Sequence, residues 1–163
     1  MKNTEFVKKV RLLCGLSYDV CDCKDVIRLP LRLSFKGTNW LWRSINNSRK
    51  YRFLKWRVSS EPDESEIEPG DVLFKIVWDK IPSGYHDCPD AHHIGVYVGN
   101  GEVVHSSPGV GVRIAPFIAS EWDGWGKMMQ VQYVDSPRPA DIEITENELT
   151  DSEMIKALYN KYI

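Results

Sequence analysis

Three side chains in this sequence are placed to do chemistry together: Cys23 in DCKDVIR (residues 22–28), and His93 and His105 in AHHIGVYVGNGEVVHSS (residues 91–107). A thiol attacks as its thiolate, and unpaired N–H groups at a helix N-terminus, together with a nearby imidazolium, lower its pKa. A histidine beside it takes the proton as general base, and a third polar group fixes that histidine's tautomer. Cys23 lies in the first turn of a predicted helix, which supplies the first effect. His93 opens a predicted strand, and the turn at Gly99 to Gly101 folds the strand carrying His105 back beside it, so the two rings are expected to be neighbours. The same residue types also occur without any such role, and a buried cysteine is more often inert packing than a nucleophile.

Cys21 and His92 nearly duplicate the assignment. Cys21 precedes the helix, and His92 is expected to point to the opposite face of the strand from His93, because side chains alternate. Cys23 and His93 are therefore the choice. A Cys21–Cys23 disulfide would be strained at that spacing, whereas oxidation of either to Cys14 is chemically open.

Two other chemistries compete. YHDCPDAHH brings His86, Cys88, His92 and His93 close in sequence, but the spacing matches no common zinc finger and Cys21-x-Cys23 is too tight, so no metal is expected. RSINNSRKYRFLKWR (residues 43–57) interleaves six basic residues with Tyr51, Phe53 and Trp56, a pattern used by single-strand nucleic-acid binders. With a whole-chain charge of only -2, a solvated connector is the preferred reading and no nucleic acid is expected. An anionic wall polymer is a further candidate partner for this patch.

The elements that must hold these residues follow from periodicity. Phe6, Val7, Val10 and Leu13 lie at helical spacing over residues 4–14, with Thr4 a candidate N-cap and Gly15 a stop. A second helix runs from about Asp22 to Pro30, and a third begins at Thr38 in TNWLWRSIN. After an acidic loop the pattern turns to strands: residues 72–78, 93–99, 102–107, 111–115 and 127–134. The six tryptophans read as core or groove walls, and EWDGWGKM (residues 121–128) is a candidate cleft wall without an assigned role. SPRPA (residues 136–140) reads as a linker, and Thr150 with Glu153 forms a capping box for a terminal helix. Helices followed by an antiparallel sheet make an α+β domain. The expected division is a domain over residues 1–135, a linker and acidic segment over 136–149, and a C-terminal helix over 150–163.

The chain is 163 residues with 42% apolar content, enough for one domain with a core and too little for two. Four cysteines (Cys14, Cys21, Cys23, Cys88) in a chain of this size read as thiols, which favours a reducing compartment. Residues 1–57 hold 14 Lys+Arg against 4 Asp+Glu, and residues 58–163 hold 7 against 19, so the halves attract each other or the basic one meets an anion. No apolar run is long enough to span a membrane, and the N-terminus is charged where a signal peptide is apolar, so neither a membrane partner nor Sec export is expected.

The order of GLSY (residues 15–18), DCKDVIR, EPGDVLF (residues 68–74) and HHIGVYVGNGEVVHSS resembles the NlpC-type (NlpC/p-sixty) cell-wall cysteine peptidases, a papain-like family of α+β fold. The resemblance spans residues 15–107. It implies N-terminal helices packed on an antiparallel sheet of about five strands, with Cys23 as nucleophile, His93 as general base and His105 as the orienting third member. Tyr18 matches the family's active-site tyrosine, and Asp22, with Tyr18, is placed in the substrate-binding or oxyanion region. Lys24 and Asp25 stand where the family usually has Ser-Gly, which implies an altered packing contact and pocket. The implied activity is cleavage of a peptidoglycan stem peptide next to γ-D-glutamate without a cofactor, with an amidase, an acyltransferase or a non-catalytic binding module as alternatives. For a wall enzyme without a signal peptide, synthesis in the cytoplasm followed by phage-type delivery or release is the expected route.

Overall fold

Strands rich in β-branched and aromatic residues assemble here into one five-stranded sheet. They are β1 (Val72–Val77), β2 (Asp90–Gly99), β3 (Glu102–Ser107), β4 (Gly111–Pro116) and β5 (Gly124–Gly126), in the order β4-β3-β2-β1-β5 with every neighbour antiparallel. The computed structural model describes residues 1–34, 36–46, 67–77, 79–84, 90–134 and 139–144. The basic segment beyond Asn46, His86, Cys88 and the expected terminal helix lie outside those residues.

One face of the sheet, through Phe74, Ile94, Val96 and Val104, packs on α1 (Asn3–Leu12), α2 (Asp25–Arg28) and α3 (Thr38–Asn46). Phe6, Val7 and Val10 of α1 have no exposed surface, so the helical stripe read from sequence is the face that is buried. Leu73, Val103, Trp122 and Trp125 form a smaller core on the other face. The domain is therefore α+β, with helices first and an antiparallel sheet after them.

Local differences from the sequence reading have physical causes. The first helix begins at Asn3, without a side-chain cap; Asn3 N–H donates instead to Gln132 O at 2.9 Å, so backbone from far along the chain satisfies a terminal donor that Thr4 was expected to help cap. Residues 127–134 were read as a strand, yet the fifth strand is the short Gly124–Gly126, beside β1. The later segment buries Met128 and Val131 and makes only an isolated bridge, Gln132 to Lys2, because its apolar residues cover the end of the core rather than an open sheet edge. Within the stretch read as linker, Pro139–Ile142 forms a helical turn, α4, and Ile142 is buried.

Two turns set the frame of the sheet. Asn100 and Gly101, both at positive φ (55° and 69°), close β2 onto β3 in a two-residue turn that suits the twist of the strands. In the Pro-Gly-Asp loop, Gly70 at φ 98° lets the chain turn, Gly70 N–H donates to Tyr97 O at 2.8 Å, and Asp71 O accepts Tyr97 N–H at 2.8 Å. The Asp71 carboxylate, wholly buried, accepts Glu68 N–H at 2.8 Å and the Lys127 ammonium at 2.9 Å. Asp71 is thus a turn-forming residue. No helix among the described residues is long and apolar enough to cross a membrane.

Candidate active site

The site forms where β2 and β3 part. Their pairing runs from Gly99 with Glu102 to Gly95 with His105 and then stops. Beyond that point both strands turn polar groups toward residues 21–23: Ser106 Oγ donates to Cys21 O at 2.5 Å, and the backbone N–H groups of Ile94 and Lys24 are near enough to the Cys23 sulfur to favour its thiolate. Asp22 opens the turn that carries Cys23, its Oδ1 accepting Lys24 N–H at 3.0 Å and Asp25 N–H at 3.2 Å while the Lys24 ammonium pairs with Oδ2. Asp22 is therefore the N-cap of this turn, and its carboxylate is spent there rather than on a substrate.

The two histidines meet as the hairpin predicts. His93 Nε2 lies 3.0 Å from His105 Nδ1, with the rings nearly perpendicular at 87°. Trp122, buried, stacks on His93 at 5.9 Å between ring centres and 19° between planes, and presents its ring edgewise to His105. Gly95, paired with His105, makes room for this: a Cβ there would come within 2.9 Å of Trp122 Cη2. Trp122 was not assigned from sequence; the signals available were a glycine in mid-strand and the aromatic stretch at residues 121–128, and nothing local joins the two.

His92 corrects a sequence expectation. The β1–β2 register shifts between Lys75 and Ile76, where Lys75 pairs with His93 and Ile76 with Ala91, so His92 is the extra residue of a β-bulge. Strict alternation fails there, and His92 and His93 both line the same cavity. Cys21 stays apart, with no exposed surface and its thiol pushed up to about 12, first by burial and then by the Asp25 and Asp22 carboxylates.

The cavity, about 860 Å³, is lined by Cys23, His93 and His105 together with Tyr18, Lys75 and Arg113, and Ile114 and Ile118 add exposed apolar surface. The structure thus brings Cys23, His93, His105 and Tyr18 to one cleft, while Asp22 caps the turn that carries Cys23. Among the described residues, no group of three or more His, Cys, Asp or Glu side chains is placed to hold a metal ion.

The electrostatics reverse one expectation. The Cys23 thiol is raised above its ordinary pKa, chiefly by burial and next by the Asp22 carboxylate; the N–H groups of Ile94 and Lys24 offset this in part. The capping carboxylate occupies the N–H groups of the turn and sets a negative charge beside the sulfur, adding to the larger effect of burial. His93 is lowered to about 4 by burial and by the charges of His105, Lys75 and His92, and His105 is lowered by burial, Arg113 and Lys75. At neutral pH the resting pair is a thiol and a neutral imidazole, not the thiolate and imidazolium that the sequence suggested. Tyr18 is raised by burial and by the charges of Cys23 and Asp22, so its hydroxyl keeps its proton and can donate into the cleft.

Neither a protein-family model nor a curated protein sequence matches the chain. Among solved structures it is similar to the NlpC/p60 domain of peptidoglycan hydrolase SagA, at 17% identity with a TM-score of 0.48, over 78% of this chain and 100% of that one.

Proposed function

We propose that this chain is a papain-like cysteine hydrolase of the NlpC type that cleaves a stem-peptide amide next to γ-D-glutamate. The observation that carries the reading is the 3.0 Å contact of His93 Nε2 with His105 Nδ1 in the cleft that also holds Cys23. With Nε2 so engaged, Nδ1 is the ring nitrogen left to act as base. The neutral pair suits general-base catalysis: His93 takes the thiol proton as sulfur attacks the carbonyl, then returns it to the departing amine. The Cys23 backbone N–H and the Tyr18 hydroxyl are the donors for the oxyanion. Water then releases the acyl group from the thioester, and the chemistry uses no cofactor.

The substrate class rests on charge. A γ-linked glutamate leaves its α-carboxylate free beside the scissile amide, and Lys75 and Arg113 line the cleft within electrostatic reach of the histidines. A phage or prophage origin, with delivery to the wall, is part of this proposal. A second reading, a non-catalytic binder on the same fold, draws on the raised Cys23 thiol and the His93 ring lowered to about 4, which together make a weakly primed nucleophile.

Incubation with γ-D-glutamyl-diamino-acid peptides, with products followed by mass spectrometry, tests the proposal. The wild-type protein is expected to release the diamino acid portion, and Cys23→Ala to lose at least about a thousandfold, the scale seen when a nucleophile is removed. Binding without cleavage, equal in both proteins, would move the assignment to the binding module. Transfer of the acyl group to an added amine, without hydrolysis, would make it a transferase.

A further inference from the structure

His92 stands in the cleft because of one extra residue in β2. Lys75 pairs with His93, so unbroken antiparallel pairing would set His92 opposite Ile76, on the face packed by the helices. The register shift puts Ala91 there instead. Ala91 and Ile76 are both buried in the main core, while His92 is exposed and lines the same cavity as Cys23, His93 and His105. Two backbone N–H groups beside the shift are met by side chains from other elements: Ile76 N–H donates to Asp123 Oδ2 at 2.8 Å, and Ala91 N–H donates to Asn39 Oδ1 at 2.7 Å. A bulge supplied with its own acceptors is a built feature, and its effect is to spare the core an imidazole and to aim that imidazole into the cleft.

Among the described residues no hydrogen bond or ring contact engages the His92 side chain. The Asp90 carboxylate close to it is taken up by Asn39 Nδ2 at 2.9 Å and the Lys80 ammonium at 3.3 Å, and a His92 charge acts on it less than either. Lys75, paired with His93 at the bulge, lines the cavity too. Charges on Lys75 and His92 both act on His93, whereas the Glu121 carboxylate acts on His105. The side of the cleft next to the base therefore offers an ammonium and a free imidazole to whatever lies beside the scissile bond. A carboxylate is the group that both would bind: an imidazole N–H donates to it whether the ring is neutral or charged, and the ammonium adds charge.

We propose that His92 is a specificity-determining residue whose ring N–H, with the Lys75 ammonium, binds the free α-carboxylate that a γ-linked glutamate carries beside the scissile amide. This rests on the hydrolase reading for the identity of the substrate, and the carboxylate contact itself is measurable without turnover. His93, next along the strand, works on the amide while His92 holds the adjoining carboxylate, so the bulge lets two successive residues serve two neighbouring groups of one substrate. With strict alternation one of the two would face away. His92 makes and breaks no covalent bond in this role.

Two peptides test this, one with γ-D-glutamate before the diamino acid and one with that α-carboxylate converted to its amide. kcat/KM is measured on both for wild type, His92→Ala and His92→Gln, and calorimetry gives Kd for both on the Cys23→Ala protein with and without His92→Ala. The wild type is expected to favour the free acid. His92→Ala should lose about tenfold on the acid, the lower end for a hydrogen bond to a charged group, and about threefold at most on the amide, whose neutral carbonyl is a weaker acceptor. His92→Gln, which keeps an N–H donor, should recover part of the loss, and Kd on the Cys23→Ala protein should show the same preference for the acid and the same dependence on His92. Equal losses on both peptides, or none on either, would overturn the proposal: the first makes His92 a structural residue, the second a bystander. Acid-specific binding that depends on His92, without turnover in the wild type, would sink the hydrolase reading and leave this contact standing. Turnover in the wild type without any acid-specific effect of His92 would do the reverse.

Discussion

Two regions of this domain bury titratable groups against the same sheet, and they do so in opposite ways. At the Pro-Gly-Asp loop, Asp71 is wholly buried, but Lys127 and the Glu68 N–H meet its carboxylate, and Tyr133 packs under the lysine at 4.0 Å while donating to Gly70 O at 2.8 Å. At the parted end of β2 and β3, Cys23, His93 and His105 are mostly buried yet face an open cavity, where the cations Lys75 and Arg113 share the sign that protonation of the histidines would create and the Glu121 carboxylate opposes them only in part at His105. Burial alone does not mark a site. The loop is closed by opposite charge, as a structural brace is, whereas the cleft stays open with its histidines held neutral by burial and neighbouring cations.

Removing a cation from each region should separate them most. Lys127→Met leaves the Asp71 carboxylate buried without its partner, and the expected loss is about 3 kcal/mol, near the lower end for breaking a buried pair. Lys75→Met deletes a half-buried ammonium that sits 5.2 Å from the Trp122 ring, and should cost under about 1 kcal/mol. Urea midpoints of the two variants decide it; similar losses would erase the distinction between brace and site.

The pH dependence of stability should show the same contrast with opposite slopes. Asp71 is raised from 3.8 to about 6 by burial, more than Lys127 and the Glu68 N–H pull it down. The folded state therefore binds the proton more readily than the unfolded one, and this group adds stability as pH falls from about 6 toward 4. His93 is lowered from 6.5 to about 4, so the unfolded chain binds protons first and stability is lost as pH falls through that window. Urea titrations from pH 7 to 4 on wild type, Asp71→Asn and His93→Gln should resolve the two: Asp71→Asn steepens the acid loss, and His93→Gln flattens it. Parallel curves for all three proteins would contradict both shifts.

The smallest effect is expected in cysteine reactivity. With a raised thiol, Cys23 should react with iodoacetamide no faster than a free thiol at pH 7, its rate rising only above the ordinary cysteine range, while Cys21 stays unlabelled until unfolding. Peptide mapping after labelling at several pH values checks this. Fast labelling of Cys23 well below pH 8 would restore the preformed thiolate and imidazolium pair.

Much of the site was legible in the sequence because its parts are local. Asp22 before Cys23 marks the start of a turn and the glycines around Asn100 mark a hairpin, but the register that sets His93 beside His105 also depends on a one-residue shift between Tyr97 and Gly99, which puts Gly95 opposite His105. The α+β class and four of the five strands follow from periodicity for the same reason. Where alternation was broken by a bulge, His92 as well as His93 came to line the cavity, because one extra residue in a strand leaves no mark on the pattern of side chains. The fifth strand was misplaced to residues 127–134, since Gly124-Trp125-Gly126 has no β pattern and pairs only because β1 offers it an open edge.

The sequence by itself determined which residues are able to react and which lie near one another along a hairpin. Only the tertiary structure decided their state. Trp122 reaches His93 across the face of the sheet, Ser107 meets His105 because the strand holds them on one side, and Lys75 stands opposite His93 through strand pairing. Protonation depends on burial and on every charge within a few ångströms, so a thiol that looked primed by its helix is held as a thiol chiefly by burial and next by the Asp22 carboxylate.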